Sequence, residues 1–223
     1  MTDRLLRILD DRFRLIKIPC DEFASLKVSG MKFKIEAYSA MGLGHVSVMK
    51  ASGFFGLMKM ETLMVTPVDL DLPIYSYDRI HAFGNDTLII ELYDTTFEKY
   101  DDIAIRSMGE ELRSAKKYFS SIPDRDPGEH WYDSIKFEES ISKKGKRAHT
   151  PDLDKLAELY FQICFWRRHG RPTYSKDYKR DRINAYVNGL LEHGGPSTDV
   201  FKKALGEKKT KKLFRKVLFG IGK

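Results

Sequence analysis

Three consecutive segments decide the fold: Leu57-Met58-Lys59-Met60-Glu61-Thr62-Leu63-Met64-Val65-Thr66, Ile74-Tyr75-Ser76-Tyr77-Asp78-Arg79-Ile80-His81-Ala82, and Thr87-Leu88-Ile89-Ile90-Glu91-Leu92-Tyr93. The first is largely apolar on both alternating faces, as in a strand covered on both sides. The second alternates, and Phe83-Gly84-Asn85-Asp86 after it supplies turn residues. The third returns with Leu88, Ile90 and Leu92 on one side. Together they read as an antiparallel meander whose last two members form a hairpin.

Upstream, Phe33, Ile35 and Ala37 alternate with Lys32, Lys34 and Glu36, the pattern of a half-buried strand. Gly42, Gly44, Gly53 and Gly56 punctuate the next stretch of chain, where no regular element is expected. Leu5, Leu6, Leu9 and Phe13 have helical spacing. Downstream, residues 97–119 read as a helix, Ile122 to Gly128 as a break, and Ile135 to Ser142 as one more strand. At Thr150-Pro151 a helix starts, since threonine can cap and proline suits the first turn. It carries Leu153, Leu156, Tyr160, Ile163 and Arg167 along one face, and two or three further helices run to Phe219. Strands first, with helices around and after them, describe an α+β domain spanning residues 1–223 as one unit.

Two acids interrupt apolar stripes. Period two puts Glu61 with Leu57, Leu63 and Val65, and Asp78 with Ile74 and Ile80. A carboxylate on a buried face must be paired, hydrogen-bonded or protonated. Burial raises its pKa and so keeps a proton donor available near neutral pH. Two such acids on neighbouring strands would make a protonation site in a pocket. The plainer alternative is that each pairs with a lysine or caps a backbone group. Met58, Met60 and Met64 read as core filler, and Tyr75 and Tyr77 as sheet surface.

Composition narrows the function classes. Hydrophobic residues make up 42% and charged ones 32%, so the chain can form a globular core. No apolar run approaches membrane-spanning length, and MTDRLLRILDDRF lacks a signal core, so no membrane partner and a cytoplasmic location are expected. Cys20 and Cys164 give neither a disulfide framework nor a redox pair. His45, His81, His130, His149, His169 and His193 never fall at metal-ligand spacing, so no metal site is expected. No phosphate-binding glycine motif is present beyond the fragment Gly42-Leu43-Gly44, which argues against a nucleotide cofactor. The net charge of +7 favours acidic partners. Much of the excess lies in Arg167-Arg168, Lys176 to Arg182, Lys202-Lys203, Lys208-Lys209, Lys211-Lys212 and Arg215-Lys216. Nucleic acid is set aside, because no recognised module accompanies the charge.

Asp71-Leu72-Pro73-Ile74-Tyr75-Ser76-Tyr77-Asp78 resembles the D-L-P-[IL]-[FL]-G-x-D strand of the ferredoxin-dependent bilin reductases. Lys59-Met60-Glu61 resembles their K-M-H segment, Ser197 to Gly206 their T-R-R-V-L-x-x-A-F-G helix, and Val217-Leu218-Phe219-Gly220 their V-L-F-D ending. Trp131 to Ser134 and Ile35-Glu36 are fainter matches, and all the pieces occur in the family's order. The red chlorophyll catabolite reductases share that fold and electron donor.

The resemblance implies an α/β/α three-layer sandwich, with a central antiparallel sheet and helices on both faces. It implies that a linear tetrapyrrole such as biliverdin lies between the sheet and the C-terminal helices. Reduction would proceed by single-electron steps from reduced ferredoxin through bilin radicals, with no electron-carrying cofactor bound. Asp78 matches the family's proton-donating aspartate, and Glu61 stands where some members have histidine. Met60, Ser76, His193 and Lys143 are implied to contact the pigment, Lys143 through a propionate. At His193-Gly194-Gly195-Pro196 the sequence departs from the family's N-D-K run and has no acid. That departure leaves open a protein that binds a bilin without reducing it.

Overall fold

The computed structural model describes residues 1–97, 103–167 and 170–222. Residues 98–102 of the helix expected over 97–119, Arg168 of the basic run and His169 lie outside the described residues.

Among the described residues eight strands form one antiparallel sheet. They are β1 (Leu15–Ile18), β2 (Ser25–Val28), β3 (Met31–Ala40), β4 (Gly44–Gly53), β5 (Met58–Pro67), β6 (Ile74–Ala82), β7 (Asn85–Tyr93) and β8 (Ile141–Lys146). Their order is β1-β3-β4-β5-β6-β7-β8, with β2 paired to the other half of β3. Helices α1 (Thr2–Phe13), α2 (Ile103–Tyr118) and α3 (Thr150–Phe165) cover one face. Helices α4 (Lys176–His193) and α5 (Pro196–Leu205), with α6 (Glu207–Lys212) and the π-helical turn Leu213–Leu218 that continues it, belong to the other. The result is an α+β, three-layer α/β/α sandwich, the arrangement expected from the sequence.

Period two divides the sheet residues between two cores. Val46, Val48, Leu63, Val65, Tyr75, Tyr77, Leu88, Ile90 and Leu92 face α1, α2 and α3. Phe33, Ile35, Ala37, Met49, Ile74 and Tyr93 face the C-terminal helices. Tyr75 and Tyr77 are thus fully buried core residues rather than sheet surface.

Two elements differ from the sequence expectation. The stretch punctuated by glycines is the long strand β4, because Gly44 and Gly53 sit at its ends and leave its interior intact. A Cβ on Gly44 would lie 2.3 Å from the Thr66 carbonyl oxygen, so glycine is required where the chain turns against β5. The last strand begins at Ile141, not Ile135. Residues before it pack as a turn and loop, with Phe137 in the core and Glu139 paired with Arg113. Burial in that loop imitates strand alternation.

Candidate functional site

The face toward α4 and α5 is not filled. Between it and the helices lies a cleft with about 1190 Å3 of atom-free space, including its open mouth. Met49, Met60, Thr62, Met64, Ser76, Asp78, Ile80, Ile89, Glu91 and Tyr93 form its floor. Tyr186 and Leu190 enter from α4, Ser197 and Thr198 from α5, and Phe214 and Leu218 from the π-helical turn. Arg125, His130 and Tyr132 close one side from the segment before β8. Mostly apolar walls with a few convergent polar groups are the usual make-up of an organic-ligand site.

Asp78 lies half-buried in the floor and accepts a short hydrogen bond from the Thr62 hydroxyl. Burial raises its carboxyl pKa from 3.8 to about 6; the Thr62 bond works against that rise and the nearby charge of Glu91 adds to it. An acid so placed can give up a proton near neutral pH.

Glu61 is not beside it. The register pairs Thr62 with Asp78 and Glu61 with Arg79, so Glu61 points to the opposite face. There it accepts from the α-amino group at 3.1 Å and from the Thr2 amide and hydroxyl, both at 2.9 Å. Burial opposes its charge, but the Thr2 amide and the α-amino group prevail and hold its pKa below the ordinary value. Glu61 fastens the start of α1 and is no proton donor to the cleft. The stripe of each strand was legible, but the parity between the strands was not.

Glu91 is the second cleft carboxylate, and sequence analysis missed it. On β7 it stands opposite Ser76, two residues from Ile89, the partner of Asp78, and hence on Asp78's face. Tyr93 donates to it at 2.6 Å, and the Lys136 ammonium lies 3.6 Å away. The hairpin carried the missing signal. Phe83 and Gly84 both have positive φ, as a two-residue type I′ turn requires. That turn pairs Ala82 with Asn85 and fixes every register position behind it.

Met60 and Ser76 line the cleft. Lys143 does not, because it pairs with Leu88 and points into the other core. Its ammonium donates to the Ile122 carbonyl and to Asp124, both at 2.9 Å. The cleft's cation is Arg125, which donates to Ser142 at 3.3 Å. His193 is exposed beside the Trp131 ring, 5.6 Å between centroids, and does not line the cleft.

Trp131 explains how the segment before β8 is held. Its indole N–H donates to the Gly194 carbonyl at 3.1 Å, and its ring lies on Gly189 of α4, where a Cβ would come within 2.3 Å. This seats His130 and Tyr132 in the cleft wall, their rings stacked 4.8 Å apart. Tyr132 and Tyr186 then pack on Tyr93, at 5.4 and 4.4 Å. Desolvation raises the pKa of all three phenols, which leaves them neutral hydrogen-bond donors.

Sheet order, helices on both faces and a cleft under the C-terminal helices can be compared with known structures. The fold is shared with a phytochromobilin synthase. The crystal structure of the selenomethionine form of that synthase, from tomato and in complex with biliverdin, superimposes with a TM-score of 0.77. The match covers 100% of this chain and 84% of the synthase chain at 16% identity. No protein-family model and no curated protein sequence matches. The likeness to the synthase lies in the fold.

Proposed function

We propose that this chain, acting as one domain, reduces an open-chain tetrapyrrole of the biliverdin type in the cleft, with Asp78 as a proton donor. The observation that carries the reading is Asp78 itself: a carboxyl raised to about 6, in the floor of an apolar-walled cleft. The cleft belongs to a fold shared with a synthase solved with biliverdin.

Saturating one double bond takes two electrons and two protons. Reduced ferredoxin supplies the electrons one at a time, so the bilin passes through a radical. Asp78 delivers the two protons in turn, regaining one from solvent after each transfer. Met60 and Ser76 contact the pigment. Arg125, rather than Lys143, is the cation for an acidic side chain of the ligand. The neutral phenols of Tyr132 and Tyr186 offer donors that do not compete for the transferred proton.

A second reading has one observation in its favour. Where α5 meets the cleft it contributes Ser197 and Thr198 and no acid. A protein that binds a bilin and leaves it unreduced would have this make-up.

An anaerobic absorbance series separates the two. Biliverdin added to the protein should shift its bands, and ferredoxin with a reducing system should then bleach them and raise product bands. A shift without turnover would establish the binding protein. No shift would remove the tetrapyrrole from both readings.

A further inference from the structure

One end of the sheet combines exposed aromatic residues with unpaired positive charge. The β4–β5 turn presents Phe54, Phe55 and Leu57, which are 52%, 109% and 61% exposed, and the β6–β7 turn presents Phe83 at 69%. The turns are neighbours, since Met58 pairs with both Gly53 and Ala82. Phe54, Phe55 and Phe83 have φ values of 52°, 56° and 50°. A bulky side chain in the left-handed region is uncommon and marks strain that function often explains.

Directly behind these tips runs a row that contains three lysines. Lys27 pairs with Lys32, Lys32 with Ser52, Ser52 with Lys59, and Lys59 with His81, so one register line crosses the sheet with all five side chains on the α1 face. At the same end of the sheet Lys146 closes β8 and Arg147 follows it; Lys146 pairs with Asn85 and so points to the opposite face. All five Lys and Arg residues are exposed, and among the described residues none has an acidic partner.

We propose that this end of the sheet docks on an anionic lipid surface, with Phe54, Phe55, Leu57 and Phe83 entering the interface and the lysine row lying against the headgroups. Contiguous exposed apolar side chains rimmed by polar ones mark interaction sites. Aromatic groups backed by basic residues suit the boundary of an anionic bilayer. The shape favours lipid over a folded partner. The apolar residues sit on two neighbouring turn tips rather than on the face of a strand or helix. No described helix is long and apolar enough to cross a membrane, so the contact is with its surface.

The test uses the full chain, sedimented with vesicles of phosphatidylcholine alone or mixed with phosphatidylglycerol. Asparagine tolerates the left-handed region, so F55N/F83N removes the apolar groups without new backbone strain. Wild type should partition onto the mixed vesicles, release them at high salt and ignore phosphatidylcholine. F55N/F83N should lose about tenfold or more in partition, K27E/K32E/K59E should lose it as well, and K208E/K211E in the C-terminal lysine runs should keep it. Equal binding by F55N/F83N, no binding by wild type at low salt, or loss only in K208E/K211E would overturn the proposal. It would also fall if wild type ignored the vesicles while F55N/F83N weakened capture of an acidic protein such as reduced ferredoxin. None of these outcomes depends on bilin chemistry.

Discussion

Asp78 separates chemistry from stability. Asp78→Asn keeps the shape and the Thr62 contact but has no proton to transfer. Bilin binding should persist while reduction falls by about 10²–10⁴-fold, with the radical's absorbance lingering in stopped-flow traces. Full turnover would end its role. Because its folded pKa is raised, Asp78 favours the fold in its neutral form. That contribution is whole below pH 3.8 and is lost as pH rises through about 6. Asp78→Asn should therefore be more stable than wild type at pH 8, by about 1 kcal/mol once its partial exposure is allowed for, and no more stable near pH 4. Thermal melts at the two pH values decide this. Glu91 acts on Asp78 through its charge, so Glu91→Gln should lower the Asp78 midpoint toward 3.8. Infrared titration of the carboxyl band, with Asp78→Asn as the blank, reads that shift without any ligand. An unmoved midpoint would mean that the two acids do not sense each other.

The β6–β7 hairpin shows at element scale what strand patterns reveal and what they conceal. Alternation within each strand identified β5, β6 and β7 and placed Asp78 among Ile74 and Ile80. It could not say that β5 meets β6 with Thr62 opposite Asp78, because that parity is set by turns and packing. Alternation alone therefore leaves Glu61 free to share a pocket with Asp78, which the register excludes. Lys143 failed for a related reason: β8 is rich in lysine, and only its pairing with Leu88 shows which lysine turns inward. The same hairpin is locked to α3. Buried Arg79 meets buried Asp86 at 2.6 Å, and Asp86 accepts from the Thr150 hydroxyl. Thr150 is the first helical residue of α3 and not its cap, and its hydroxyl serves Asp86 instead. Asp86→Asn would leave a buried guanidinium with only half-exposed Asp154, 3.2 Å away, as a carboxylate partner. It should cost about 3–5 kcal/mol in urea unfolding, whereas replacing both residues by Arg79→Met with Asp86→Leu should cost less. A double variant as unstable as the single would show that packing, not the stranded charge, sets the penalty.

Across the whole molecule the surplus charge is organised rather than diffuse. Lys208, Lys209, Lys211, Lys212, Arg215 and Lys216 surround one groove that contains a single acid, Glu22. Glu22 is already held by Lys209 and Lys212, at 3.5 and 2.8 Å. The π-helical turn Leu213–Leu218 connects this groove to the cleft, giving Arg215 and Lys216 to one and Phe214 and Leu218 to the other. Such turns are frequent at functional sites. An acidic electron donor resting in the groove would stand one helix away from the proposed pigment, and the local field would speed its arrival and orient it. Lys212 also lies over the Phe23 ring, so reversing it would damage packing as well as charge. Lys208 and Lys211 have no ion-pair partner among the described residues and are the better probes. Lys208→Glu with Lys211→Glu should raise the KM for ferredoxin about tenfold or more at low salt and flatten its salt dependence, with kcat and bilin affinity unchanged. A fall in bilin affinity would mean that the substitutions disturbed the cleft through the shared helix. An unchanged KM at low salt would place the donor elsewhere on the surface.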